Sequence, residues 1–82
     1  VSRVVPREDL DRVVDETVSS LAAKSPATLM LGRDAFYGTA HLDPDVALDR
    51  LQAGLTAVSL TDDAREGVTA FLEKRPPRWQ GR

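Results

Sequence analysis

Capping residues followed by prolines divide this chain into short helices. Ser25 precedes Pro26 and Asp43 precedes Pro44, so each pair places an N-cap residue before a proline. A proline in the first helical position loses nothing by lacking an N–H, because that N–H has no partner in the helix. Thr61 is a further good N-cap. The pattern predicts four short helices, over roughly residues 7–24, 26–37, 44–59 and 62–75.

Apolar residues recur at helical spacing in the first and third of these segments. They are Leu10, Val13, Val14, Val18, Leu21 and Ala22 in the first, and Val46, Leu48, Leu51, Leu55 and Val58 in the third. A stripe at intervals of three and four residues is typical of an amphipathic helix. In the second segment Gly32 costs about 1 kcal/mol relative to alanine, which favours a close packing contact there. Gly38 is predicted as the C-terminal cap of that helix.

These features predict an all-α fold, a small bundle of about four short helices. Residues 1–6 are interpreted as the end of a preceding core domain or as a lead-in, residues 7–75 as a helical module, and residues 76–82 as an extended tail. A chain of 82 residues buries only a modest core. Four short helices with one apolar stripe each leave apolar area for another surface, so we expect association or loose packing.

Composition narrows the class of protein further. The chain has no cysteine, and no apolar run approaches the length of a membrane span, so we predict a cytoplasmic protein without membrane contact. The net charge of −2 gives no general attraction to nucleic acid. Charge is nevertheless uneven, with −5 over residues 1–64 and +3 over residues 65–82. The first residue is Val1 rather than methionine, which suggests an excised piece of a longer protein.

No catalytic or metal-binding constellation is evident. The acidic residues Asp62, Asp63 and Glu66 are interpreted as a solvated helix N-terminus, where negative charge complements the helix dipole. His41 is the single histidine and is expected to be an exposed loop residue, because it has neither a nucleophile nor further ligands beside it. Trp79 follows two prolines in the tail and is predicted to anchor that tail in an apolar groove. The segment alone is therefore expected not to catalyse a reaction.

One motif carries a resemblance to a known family. Residues 61–81 read Thr-Asp-Asp-x-x-Glu-Gly-x-x-Ala-Phe-x-Glu-Lys-Arg-x-Pro-x-Trp-x-Gly, which resembles the C-terminal signature of the enoyl-CoA hydratase/isomerase (crotonase) family. The stretches at residues 2–6, 24–26 and 32–37 resemble the end of that family's core domain, a helix break and the helix that follows. The resemblance covers essentially the whole chain, but only the final third of such an enzyme.

The resemblance implies a coenzyme A site with two residues from this chain. In the family, residues matching Phe71 and Lys74 touch the adenine–ribose–phosphate end of CoA, often on the neighbouring subunit. An aromatic face suits a purine and a compact ammonium suits the 3′-phosphate, and a spacing of three puts both on one helix face. From the sequence alone, Phe71 as a core residue and Lys74 as a solvated charge remain open. Arg75 and Arg78 are weaker candidates for the phosphate.

The resemblance also implies a function for the complete protein. It predicts hydration of 2-enoyl-CoA thioesters in fatty-acid metabolism, with two catalytic glutamates on a core domain that this segment lacks and no covalent cofactor. Isomerase, hydrolase and decarboxylase reactions stay open, because members of the family with those activities share this region. Expected partners are acyl-CoA, the core domain and further copies of the protein, as a trimer or a pair of trimers. The alternative is a free-standing helical module for protein–protein interaction that has no ligand.

Overall fold

A computed structural model describes all 82 residues of the protein. A short 3-10 turn at Arg7–Asp9 leads into helix α1 (Leu10–Ala22), which is followed by α2 (Pro26–Thr39), α3 (Pro44–Ser59) and α4 (Asp62–Glu73). There is no strand, so the predicted all-α fold is confirmed. The bounds predicted for the third helix agree with the structure, and the first and fourth helices are each shorter than predicted.

Two of the three predicted caps hold their helices by side-chain hydrogen bonds. The Ser25 hydroxyl accepts from the N–H of Thr28 at 3.1 Å, and the Thr61 hydroxyl accepts from the N–H of Ala64 at 3.0 Å. Asp43 has the extended backbone of an N-cap but makes no side-chain capping bond. The starts of α2, α3 and α4 therefore follow from the local sequence, and a hydroxyl caps two of them.

The glycines of α2 behave differently from the prediction. Gly38 does not cap α2, because the helix continues through it to Thr39 and the N–H of Ala40 still bonds to the carbonyl of Phe36. A Cβ added at Gly32 would meet nothing within 4 Å outside its own helix backbone, so the close contact expected there is not made inside this chain. At Gly54 on α3 an added Cβ would lie 4.0 Å from the Cβ of Ala35, which is an ordinary van der Waals contact between α3 and α2.

The four helices do not enclose a common core. The main contact is between α2 and α3, α4 touches both of them, and α1 makes little contact with the other three helices. The only buried apolar residues are Val13, Ala27 and Ala70. The radius of gyration is 16.1 Å, against about 12 Å for a compact domain of this length. The helices therefore form an open array with a thickness of 18 Å along its shortest axis.

Large apolar side chains remain exposed along every helix. Among them are Leu10 and Val18 of α1, Met30 and Phe36 of α2, Leu48 and Leu55 of α3, and Val68 and Phe71 of α4. Exposed apolar area on this scale is typical of a surface that another protein surface covers. None of the helices has the length and hydrophobicity that a membrane span requires.

Candidate functional site

Lys74 follows the last residue of α4 in a conformation that is unusual for its type. Its φ and ψ are 54° and 45°, which is the left-handed region, and no other residue except Gly81 has a positive φ. The N–H of Lys74 bonds to the carbonyl of Phe71 at 3.2 Å, and the N–H of Arg75 bonds to that of Ala70 at 3.0 Å. This pair of bonds is a Schellman motif, in which the left-handed position is usually glycine. A lysine there carries backbone strain that glycine would avoid.

Phe71 lies in the last turn of α4 with 81% of its surface exposed. It is therefore not a core residue of this chain, which leaves its ring free to meet something else. The expectation that Phe71 and Lys74 share a helical face needs correction, because the helix ends at Glu73. The left-handed turn, rather than helical periodicity, sets the direction in which Lys74 leaves the backbone.

Arg75 clamps the end of α4 through its side chain. Its guanidinium donates to both carboxylate oxygens of Glu66, at 2.6 and 3.2 Å, and to Glu73 at 2.5 Å. The same Glu66 carboxylate accepts the backbone N–H of Arg78 at 2.8 Å. Because Arg75 is occupied by two carboxylates, its guanidinium is not available to a phosphate without breaking these bonds, which weakens its candidacy for that role.

The electrostatics of this clamp follow from its hydrogen bonds. The bonds from the Arg75 guanidinium, with that from the Arg78 N–H, lower the pKa of Glu66 from 4.5 to about 2. Pairing with Glu66 and then Glu73 raises the pKa of Arg75 above its ordinary value. Lys74 forms no ion pair, although both of its neighbours in sequence do. The ammonium of Lys74 is thus the uncompensated cation of this turn.

The start of α4 is only partly the solvated terminus that was predicted. Asp63 is only 1% exposed, and its carboxylate accepts from the Ser25 hydroxyl and from the N–H of Gln80, both at 2.6 Å, and from the N–H of Gly81 at 3.2 Å. The bond from Ser25 lowers the pKa of Asp63 by more than burial raises it. The interpretation fails for Asp63 because partners distant in sequence surround it; Asp62 is exposed and pairs with Arg82 at 3.1 Å.

The tail, residues 76–82, folds back along α4. Trp79 is half-buried, and its ring lies 3.4 Å from where a Cβ on Gly67 would be. Its indole N–H donates to the carbonyl of Ala23 at 2.8 Å, just beyond the end of α1. The N–H of Asp63 donates to the carbonyl of Arg82 at 2.8 Å. The hydrogen bond to Ala23 and the close approach to Gly67 support the predicted anchoring role of Trp79.

The structure brings together residues whose connection the sequence analysis missed. Ser25 and Asp63 are 38 positions apart, and Glu66 and Arg75 are nine apart. The only signal in the sequence was that Glu66 and Arg75 carry opposite charges and lie near opposite ends of α4. His41 lies exposed in the loop between α2 and α3, as expected, and no hydrogen bond engages its side chain.

The helical array, the capped end of α4 and the returning tail match the C-terminal helical region of crotonase-fold proteins. The whole chain, residues 1–82, matches the family model described as enoyl-CoA hydratase/isomerase. The chain belongs to this family. The resemblance stated from the sequence is therefore confirmed.

Relatives and solved structures give the same result. The chain is 29% identical over 79 residues to rat enoyl-CoA hydratase domain-containing protein 3, mitochondrial, covering 96% of this chain and 26% of that protein. It is 29% identical over 82 residues to 2,3-dehydroadipyl-CoA hydratase of Escherichia coli K12, covering 100% and 32%. A crystal structure of enoyl-CoA hydratase from Mycobacterium smegmatis superposes with a TM-score of 0.91 at 35% identity, over 96% of this chain and 31% of that one. The chain thus spans about a third or less of the length of these proteins.

Proposed function

We propose that this chain is the C-terminal part of an enzyme that hydrates 2-enoyl-CoA thioesters, and that it supplies Lys74 and Phe71 to the CoA pocket. Family membership supports a CoA thioester as the substrate class, since similar proteins are named as hydratases of CoA esters. The single observation that supports this site is the left-handed backbone conformation of Lys74. A lysine stands where a helix end favours glycine, and strained backbone of this kind clusters at functional positions.

The chemistry of the two residues fits the adenine–phosphate end of CoA. Lys74 carries a cation that no carboxylate of the chain neutralises, and a phosphate would complete that pairing. Phe71 presents an exposed ring three residues earlier, on which a purine can stack. We assign the 3′-phosphate to Lys74 and the adenine to Phe71.

The acid–base groups of the reaction are proposed to lie outside this chain. Asp63 is buried among three donors, and Glu66 is held by Arg75 and the N–H of Arg78. A general base near neutral pH needs a raised carboxylate pKa and access to substrate, whereas both of these pKa values are lowered. We therefore propose that a core domain bears the catalytic glutamates, and that it and further subunits cover the exposed apolar faces.

The test measures CoA binding by the complete protein. Lys74→Ala is expected to raise the Kd for CoA about tenfold, the low end of the range for a hydrogen bond to a charged group. The Kd for 3′-dephospho-CoA is expected to change by less than about twofold, since the phosphate that Lys74 would contact is absent. Lys24, the only other lysine, gives a matched control, and Lys24→Ala should leave both values unchanged.

The outcome separates this proposal from its alternative. Equal losses for both ligands would indicate damage to the fold, and unchanged affinity for CoA would refute the role of Lys74. A free-standing helical interaction module would bind neither ligand, in the wild type or in either variant. Its apolar faces would then be covered by a protein partner without any effect of CoA on that complex.

A further inference from the structure

The residues on either side of Lys74 are joined to each other. Glu73 accepts a hydrogen bond from Arg75 at 2.5 Å, so the backbone of Lys74 is bracketed by a closed ion pair. The Arg75 guanidinium also reaches back two turns to both carboxylate oxygens of Glu66. The backbone N–H of Arg75 bonds to Ala70, which is itself buried at 2% exposure. The residue that follows Lys74 is therefore held by its main chain and by its side chain.

We infer that Glu66 and Arg75 are positioning residues, which hold Lys74 in its left-handed conformation and so aim its ammonium at the 3′-phosphate of CoA. This inference rests on the proposed role of Lys74 in binding CoA. Neither Glu66 nor Arg75 needs to touch the ligand. Their effect on it is through the backbone of the residue between Glu73 and Arg75.

The physical reason is that the left-handed conformation is intrinsically unfavourable for lysine. The left-handed region costs an L-residue about 1–2 kcal/mol, so surrounding contacts have to impose it. Here the contacts are the paired bonds of the Schellman motif and the fork from Arg75 to Glu66, which the Arg78 N–H braces at 2.8 Å. Without the fork, the turn loses the side-chain part of its support, and Lys74 can relax to a commoner conformation with a different side-chain direction.

If Glu66 positions Lys74, replacing Glu66 should weaken CoA binding, whereas its charge alone predicts stronger binding. Glu66 is negative, and removing its charge should strengthen the binding of an anion if Glu66 acted only through space. A weaker affinity for CoA in Glu66→Gln therefore points to geometry. Arg75→Lys gives a second variant, which keeps the positive charge but cannot form the two-pronged bond.

The experiment uses the complete protein and compares CoA with 3′-dephospho-CoA. The readout is the ratio of the two Kd values, which measures the contribution of the 3′-phosphate and cancels a general loss of folded protein. Glu66→Gln and Arg75→Lys are each expected to reduce the preference for CoA about threefold or more, as coupled neighbours do. The double variant Glu66→Gln/Lys74→Ala should show the same preference for CoA over 3′-dephospho-CoA as Lys74→Ala alone. Asp62→Asn is the matched control, because it breaks an exposed ion pair at the other end of α4.

Each result has a distinct meaning. A reduced preference in both single variants, absent from the Lys74→Ala background, supports the inference. If Lys74→Ala lowers the preference while Glu66→Gln and Arg75→Lys leave it unchanged or raise it, the positioning role is wrong and the CoA site stands. Additive losses in the double variant overturn it as well, since Glu66 would then act independently of Lys74. If Lys74→Ala itself leaves the preference unchanged, the proposed function fails and the positioning role fails with it.

Discussion

Replacing Lys74 by glycine should make the end of α4 more stable while it weakens CoA binding. Lys74→Ala is the comparison variant, because both substitutions remove the ammonium and only glycine relieves the left-handed backbone. Any difference in stability between the two variants therefore reports the strain, and any loss of CoA affinity that they share reports the ammonium.

The size of the stability difference follows from two opposing terms. Relief of the left-handed conformation contributes about 1–2 kcal/mol. The greater freedom of glycine in the unfolded chain returns about 0.4–1 kcal/mol. The net gain is about 0.5–1 kcal/mol. The equilibrium constant for local unfolding of the end of α4 should therefore be about two to five times smaller in Lys74→Gly than in Lys74→Ala.

Hydrogen–deuterium exchange of the peptide that spans the end of α4 measures this equilibrium in the complete protein. After correction for intrinsic rates, the amide of Arg75, which bonds to Ala70, should exchange about two to five times more slowly in Lys74→Gly than in Lys74→Ala. Equal or faster exchange in the glycine variant would refute the left-handed conformation at Lys74. Slower exchange in the glycine variant, with full CoA affinity in both variants, would support the backbone strain at Lys74 but refute its role in CoA binding.

Two further predictions concern the tail and the clamp. Trp79→Phe removes the indole donor to Ala23 at 2.8 Å, a loss of about 1 kcal/mol; the amides of Gln80 and Gly81 should exchange about fivefold faster, and unchanged exchange would show that the bond does not hold the tail. The lowered pKa of Glu66 makes its contribution to stability complete above about pH 4.5 and lost as pH falls toward about 2. Thermal unfolding from about pH 6 to about pH 3 should therefore depend less on pH in Glu66→Gln than in wild type; identical slopes would exclude the clamp as their source.

Local features of the sequence predicted the helices well. Capping by Ser25 and Thr61 and the proline at position 44 act within one turn, so they can be interpreted without knowing what lies across the molecule. The error at Gly38 has a related cause. Glycine is permitted inside a helix at modest cost, and nothing nearby obliged the chain to turn before Thr39.

Contacts between distant segments could not be predicted in the same way. The burial of Asp63 depends on Ser25 from one direction and on the tail from the other, and no pattern along the chain announces that meeting. The residues proposed to meet CoA were found by family resemblance rather than by physics. The left-handed backbone that distinguishes Lys74 is visible only in the structure, because a lysine after a helix looks like an ordinary charged terminus.

The returning tail has a consequence for synthesis of the protein. Residues 76–82 are translated after all four helices, yet they provide the acceptor for the Asp63 N–H, donors to its carboxylate and the donor to Ala23. Until residues 76–82 emerge from the ribosome, the carboxylate of Asp63 lacks these partners. The end of α1 is also not yet linked to α4 through the tail. The helices can therefore form early, because their bonds are local, but their mutual arrangement is completed only after residues 76–82 have been made.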